Sequence, residues 1–136
     1  MNDPIFIDTS YILALANTAD KYHDRARATS LSVAGPFITT EAVLTEIGNA
    51  FSRRQWRAVG AATINDMRAD PSIETVSIDA TLFDRAVALY SARPDKEWGL
   101  TDCISFVVMQ ECGLTQALTT DRHFEQAGFR NTIADL

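Results

Sequence analysis

Apolar positions in this chain come in two spacings that take turns along it. Short β-branched or aromatic runs alternate with stretches whose apolar residues recur at helical intervals. Pro4 to Ile7 reads as a buried strand, bounded by proline before it and polar residues after it. Tyr11–Ala16 reads as a short buried helix, and Lys21–Leu31 as a charged, exposed one stopped by Gly35-Pro36. Phe37-Ile38-Thr39 is a second strand. Thr40–Arg54 is the clearest helix: Val43, Leu44, Ile47, Ala50 and Phe51 share an arc of roughly 120° on a helical wheel. Glu46 lies at the edge of that stripe, and Glu41 lies nearly opposite and faces water. Gln55–Arg68 reads as a further helix with Val59, Ala62 and Ile64 on its apolar side, broken at Asp70-Pro71-Ser72.

Ile73–Ile78 alternates apolar and polar, as a strand does. Asp79 is placed to cap a helix over Ala80–Ala92 that turns Leu82, Phe83, Ala86, Val87 and Tyr90 inward. After the polar loop Arg93–Gly99, the stretch Leu100–Cys112 is apolar almost all round, the mark of a helix buried on most sides. Gly113 ends it. Ala117-Leu118 is a fourth strand, Arg122–Ala127 a short helix and Phe129–Ile133 a last strand. Strand and helix alternate throughout, and parallel neighbours need helical crossovers. The expected fold is therefore a three-layer α/β/α sandwich around a short, mostly parallel sheet. With no internal repeat or linker, residues 1–136 are expected to form a single domain.

Composition changes this picture little. A chain of 136 residues, 46% hydrophobic and 22% charged, is of ordinary globular type. No apolar run approaches the ~20 residues of a membrane span, and no basic segment precedes Tyr11–Ala16 as in a signal peptide, so a cytoplasmic protein is expected. Cys103 and Cys112 fall on opposite faces of one predicted helix, roughly 13 Å apart, too far to pair. They read as small buried hydrophobes. His23 and His123 are isolated in sequence and are expected at the surface. The net charge of −6 argues against a protein that grips nucleic acid mainly by electrostatics. It leaves room for an enzyme that holds cations in an acidic site and meets nucleic acid through a local basic patch.

Such an acidic site is legible. Asp8 and Asp121 each follow a short strand, Asp102 opens the most buried helix, and Glu46 borders the core face of another. In a parallel sheet the C-terminal ends of strands and the first turns of the following helices share one edge. The three aspartates can therefore converge, and Glu46 joins them if its helix crosses that edge. Carboxylates held close repel one another, and proteins tolerate the arrangement where it binds a cation. Carboxylate oxygens without thiol or imidazole select hard ions, hence Mg²⁺ or Mn²⁺ rather than Zn²⁺, and these suit phosphate chemistry. There is no glycine-rich phosphate loop and no Gly-x-Ser-x-Gly elbow. Asp8-Thr9-Ser10 also lacks the second aspartate of haloacid-dehalogenase phosphatases, and no lysine follows a late strand as in response-regulator receivers.

Four segments carry a family resemblance: Ile5–Ser10, Val43–Ile47, Leu100–Ile104 and Leu118–Phe124. Together they resemble, in order, the acidic motifs of PIN-domain ribonucleases, and most of all the small VapC-type toxins of toxin–antitoxin pairs. The resemblance spans nearly the whole chain. It implies a Mg²⁺- or Mn²⁺-dependent endoribonuclease, a cognate antitoxin that occludes the site, and a homodimer. Residue by residue, it implies that Asp8, Glu46, Asp102 and Asp121 are the catalytic, metal-site acids. Thr9, Ser10 and Thr120 would be polar supports beside them. Cys103 stands where many relatives carry alanine, a small change.

An RNA substrate also requires cations. Arg53-Arg54-Gln55-Trp56-Arg57 offers arginines for phosphates and an indole for stacking, and Arg122 adjoins Asp121. The plainer account of the first segment is a solvated helix end with Trp56 packed inward. Two other functions fit the acids: a Mg²⁺-dependent phosphatase or phosphotransfer enzyme, and a non-catalytic binding module on the same fold.

Overall fold

The computed structural model describes residues 3–133. Five strands make one sheet: β1 (Ile5–Ile7), β2 (Phe37–Thr40), β3 (Ile73–Val76), β4 (Gln116–Leu118) and β5 (Arg130–Asn131). Their order is β3-β2-β1-β4-β5, and every neighbouring pair is parallel. Between them run α1 (Thr9–Ala16), α2 (His23–Ser32), α3 (Glu41–Ala50), α4 (Arg57–Ala69), α5 (Ala80–Ala92), α6 (Leu100–Glu111) and α7 (His123–Gln126). The chain steps from β1 outward to β3, then returns to the other side of β1 for β4. With right-handed crossovers, that reversal puts α1–α4 on one face and α5–α7 on the other. The expected three-layer sandwich is the fold observed.

The order also fixes where a ligand goes. The direction in which successive strands are added to the sheet reverses between β1 and β4, so the crevice beyond their C-terminal ends is the switch point. Asp8 directly follows β1, and Thr119-Thr120-Asp121 follow β4. The backbone carries this alignment, since the N–H of Asp8 donates to the carbonyl of Leu118 at 3.0 Å.

The core that holds these ends is aromatic. Phe6, Phe106 and Phe124 are fully buried. Phe124 packs edge-on against Phe106 with ring centres 4.9 Å apart, and lies 6.1 Å from Phe6. Trp98 meets the other side of Phe106 edge-on at 5.0 Å. Phe106 lies one turn beyond Asp102, and Phe124 lies beside His123. The cluster therefore locks the first turns of α6 and α7 to β1. Both helices end on a left-handed glycine, Gly113 at φ 68° and Gly128 at φ 94°. The N–H of Leu114 then closes on Met109, and that of Phe129 on Phe124, so the chain turns straight into the next strand.

Several expectations are corrected. α3 stops at Ala50 and α4 starts at Arg57, so Arg53 and Arg54 sit in a connector. The buried positions of α4 are Gly60 and Met67, with Ile64 half-buried between them, while Val59 and Ala62 are exposed. A glycine does not register as apolar in a wheel. Yet Gly60 packs so closely on Phe51 that a Cβ there would come within 2.7 Å of the Phe51 Cβ. On α5, Leu82 and Ala86 are buried, but Phe83, Val87 and Tyr90 are exposed. Its apolar arc is wider than the face that α6 covers. Cys103 is buried as expected, whereas Cys112, at the C-cap of α6, is exposed. Among the described residues no helix is long and apolar enough to cross a membrane.

Candidate active site

Beyond the C-terminal ends of β1 and β4 lies a cleft of about 440 Å³, lined by Asp8, Thr9, Ser10, Leu13, Glu46, Asn49, Asp102 and Asp121. All four expected acids meet there. Each arrives by a different local route.

Asp8 comes straight off β1 and is only 4% exposed. It stands at the N-cap position of α1, yet its side chain caps nothing. Its Oδ2 instead accepts from Ser10 Oγ at 2.7 Å and from Thr119 Oγ1 at 2.8 Å. Each hydroxyl has one proton, and both are spent on Asp8, so the 3.1 Å between the two hydroxyls is proximity. Burial pushes the Asp8 carboxyl up to about 6. The two hydroxyls oppose that shift, and the charge of Asp102 adds to it.

Glu46 projects from α3, which the Thr40 hydroxyl caps at its start. Glu46 is exposed at the mouth of the cleft, and its Oε1 accepts from Thr9 Oγ1 at 2.7 Å. Adjacent residues at the start of α1 thus serve opposite sides: Thr9 reaches Glu46, and Ser10 reaches back to Asp8. Glu41 faces water as expected and accepts from the backbone N–H of Ile78. Asp79 caps α5 through the N–H of Leu82.

Asp102 sits in the first turn of α6, and its Oδ2 accepts from the N–H of Gly99 at 3.0 Å, closing the helix start. Burial is the main cause that raises its carboxyl above the usual range; the Gly99 and His123 hydrogen bonds lower it, and the charge of Asp121 raises it further. Asp121 is held by the backbone, its Oδ1 accepting from the N–H of His123 at 2.9 Å.

Two residues of this arrangement escaped the sequence reading. Thr119, fully buried, donates to Asp8 and accepts from the N–H of Asp121, while Thr120 contributes a backbone N–H to Ser10. A buried threonine at a strand end has no pattern that separates it from its neighbour. His123 was expected alone at the surface. Instead its Nδ1 lies 3.0 Å from Asp102 and 3.3 Å from Asp121. The available signal was the Asp-x-His spacing, which lets an aspartate accept from the backbone two residues on. His23 is also half-buried, its Nδ1 2.8 Å from the Ala14 carbonyl.

The donor set suits a divalent cation. No lysine or arginine is among the residues lining the cleft, so none of them brings a permanent positive charge to its acids. One ligand atom from each of Asp102, Asp121 and His123 falls within 4.8 Å of the others. The hydrogen bonds to Asp102 all fall on Oδ2 and that to Glu46 on Oε1. Oxygens Oδ1 and Oε2 are left with no protein donor among the described residues.

The profile of the PIN domain matches residues 5–130. This chain belongs to the PIN-domain family. PIN nucleases are metal-dependent, which is the chemistry the acids of this PIN domain suit. Among curated proteins it is 32% identical over 127 residues to the 23S rRNA-specific endonuclease VapC20 of Mycobacterium tuberculosis, covering 92% of this chain and 95% of that one. The crystal structure of VapC20, a sarcin-ricin loop cleaving toxin, superposes with a TM-score of 0.85 at 28% identity and the same coverage. The FitAcB structure from Neisseria gonorrhoeae (TM-score 0.67, 15% identity) and VapBC-1 from nontypeable Haemophilus influenzae (0.63, 10%) each cover 93% of this PIN domain and 95% of their own chain. At those identities the likeness is one of fold.

Arg53, Arg54, Arg57 and Arg122 are all exposed. Trp56 is 49% exposed, not packed inward, and borders an apolar groove with Ala16, Asn17, Ala50, Phe51 and Val59.

Proposed function

We propose that this PIN domain, taken as one unit over residues 1–136, is the toxin of a type II toxin–antitoxin pair and hydrolyses RNA phosphodiester bonds. The observation that carries the reading is the convergence of Asp8, Glu46, Asp102 and Asp121 at the sheet's switch point, in a cleft with no lysine or arginine among its lining residues. These four side chains would hold Mg²⁺ or Mn²⁺. When bound, the ion supplies charge neutralisation at the scissile phosphate and a more acidic attacking water. The chain's own part is to hold the acids at a fixed spacing and to offset part of the cost of burying Asp8. Ser10 and Thr119 favour the charged form of Asp8, and Thr9 fixes one oxygen of Glu46.

VapC20 is a 23S rRNA-specific endonuclease, which makes large-subunit ribosomal RNA the first substrate to test. Arg53, Arg54, Arg57 and Arg122 are the candidates for phosphate contacts, each exposed to reach a strand entering the cleft. An antitoxin partner and a cytoplasmic site of action follow from the same reading. The exposed apolar face of α5, Phe83-Val87-Tyr90 at i, i+4 and i+7, supports a homodimer.

The deciding experiment incubates antitoxin-free protein with ribosomal RNA in Mg²⁺, in Mn²⁺ and in EDTA, beside Asp102→Asn. Cleavage that requires the ion and vanishes in the variant is the expected result. Intact RNA together with turnover of a small phosphate ester would replace the ribonuclease with a phosphatase. Ion binding without turnover of either would leave a non-catalytic module.

A further inference from the structure

Asp102 and Asp121 lie on different elements, and one side chain touches both. His123 Nδ1 is 3.0 Å from Asp102 Oδ2 and 3.3 Å from Asp121 Oδ2. An ionised carboxylate has no proton to give, so Nδ1 carries the hydrogen and donates. The same residue's backbone N–H donates to the other oxygen of Asp121, at 2.9 Å. Residue 123 therefore faces both oxygens of Asp121. On Asp102 it shares Oδ2 with the Gly99 N–H and leaves Oδ1 clear. Both aspartates are partly exposed, with side chains 17% and 36% accessible. Like charges this close push apart unless something between them answers both. Among the described residues, His123 is the side chain that hydrogen-bonds to Asp102 and approaches Asp121. It is itself held in place by the burial of its neighbour Phe124 in the aromatic core.

We propose that His123 is a positioning residue: its Nδ1–H ties Asp102 to Asp121 and sets the spacing at which the two acids receive the divalent cation, without His123 becoming a ligand. A nitrogen that donates its proton to carboxylates has no lone pair to offer an ion. Becoming a ligand through Nδ1 would mean surrendering both contacts. The role is that of an outer partner that orients the groups binding the ion. The inference rests on the reading of the cleft as a metal centre.

The test is calorimetric titration of Mn²⁺ into wild type, His123→Ala and His123→Asn, with melts of the metal-free proteins and pulsed electron paramagnetic resonance of the Mn²⁺-loaded wild type. His123→Ala is expected to bind Mn²⁺ roughly 10- to 100-fold more weakly while melting within a few degrees of wild type. His123→Asn, whose amide nitrogen falls near the position of Nδ1, is expected to recover most of the affinity. The resonance spectrum is expected to show no directly bonded nitrogen. Equal affinity in wild type and His123→Ala would overturn the proposal. So would an asparagine variant as weak as the alanine one, or a directly coordinated histidine nitrogen in the spectrum. A wild type that takes up no Mn²⁺ would instead sink the metal-centre reading, and this inference with it.

Discussion

Asp8 and Glu46 face each other across one cleft, and each leans on a hydroxyl at the start of α1. Asp8 is 4% exposed, and burial lifts its carboxyl to about 6. Glu46, reached by Thr9 at 2.7 Å, stands exposed at the mouth. The chemical group is the same, but the surroundings differ. A carboxylate on the protein surface keeps most of its hydration, whereas one beneath the cleft floor must replace water with whatever donors the fold provides. Ser10 and Thr119 recover part of that loss. The remainder is a standing destabilisation that a bound cation would relieve. The inner acid is therefore expected to couple folding to charge, and the outer acid to affect chemistry alone.

The largest expected effect is at Asp8. Asp8→Asn should cut RNA cleavage by roughly 10³-fold, the scale of losing a group that stabilises developing charge. The metal-free variant should also be more stable at neutral pH, by up to about 3 kcal/mol for a carboxyl displaced from 3.8 to about 6. The sign follows from proton counting. Between pH 4 and 6 the folded state holds a proton on Asp8 that the unfolded state has released. Stability from this group is thus fully present below about 3.8, declines as pH rises to about 6, and stays low above it. Melts in EDTA across this window should show a steeper decline in wild type than in Asp8→Asn, which keeps the contribution of the likewise raised Asp102. A variant that melts lower than wild type at pH 7 would make Asp8 a structural acid.

A smaller effect is expected at Glu46. Glu46→Gln should lower cleavage by roughly 10²-fold, the low end of what one positioned catalytic side chain contributes. Its metal-free stability should stay within about 0.5 kcal/mol of wild type, as for most exposed substitutions. A melting shift as large as that of Asp8→Asn would erase the contrast between the two acids. The smallest effect on activity is expected outside the cleft. Asp79→Ala removes the cap of α5 and should cost about 1 kcal/mol, read by urea unfolding. Cleavage by the folded protein should remain within about twofold, since the cap lies on α5, away from the residues lining the cleft. A large loss there would mean that the carboxylates of the site were wrongly chosen.

Much of this arrangement could be read from residue order. The alternation of short apolar runs and helical stripes gives a parallel α/β sheet, because each parallel pair needs a crossover. Parallel sheets gather strand ends and helix starts on one edge, so Asp8, Asp102 and Asp121 were already assigned to a common side. Glu46 could be placed conditionally, from its position at the rim of the α3 stripe. These inferences succeed because they depend on periodicity and on chain direction, which are local properties.

What escaped depends on packing between distant segments. Phe83, Val87 and Tyr90 have the spacing of a buried face, but burial depends on how wide a surface the neighbouring elements cover, and α5 exceeds it. Gly60 has no side chain to count, yet its lack of one is what lets α4 sit against Phe51. Thr119 and Thr120 are alike in sequence. Only the twist of the chain after β4 decides that Thr119 turns its hydroxyl to Asp8. His123 carries no long-range signature, and its contact with Asp102 exists because the edge-on packing of Phe106 and Phe124 brings α6 and α7 together. The sequence by itself determined the parallel sheet and the three aspartates that gather at its edge, since hydrophobic period and strand direction are set residue by residue. Only the tertiary structure decided which hydroxyls and which imidazole hold those acids, because hydrogen bonds across the cleft form only after the aromatic core has fixed the spacing between elements.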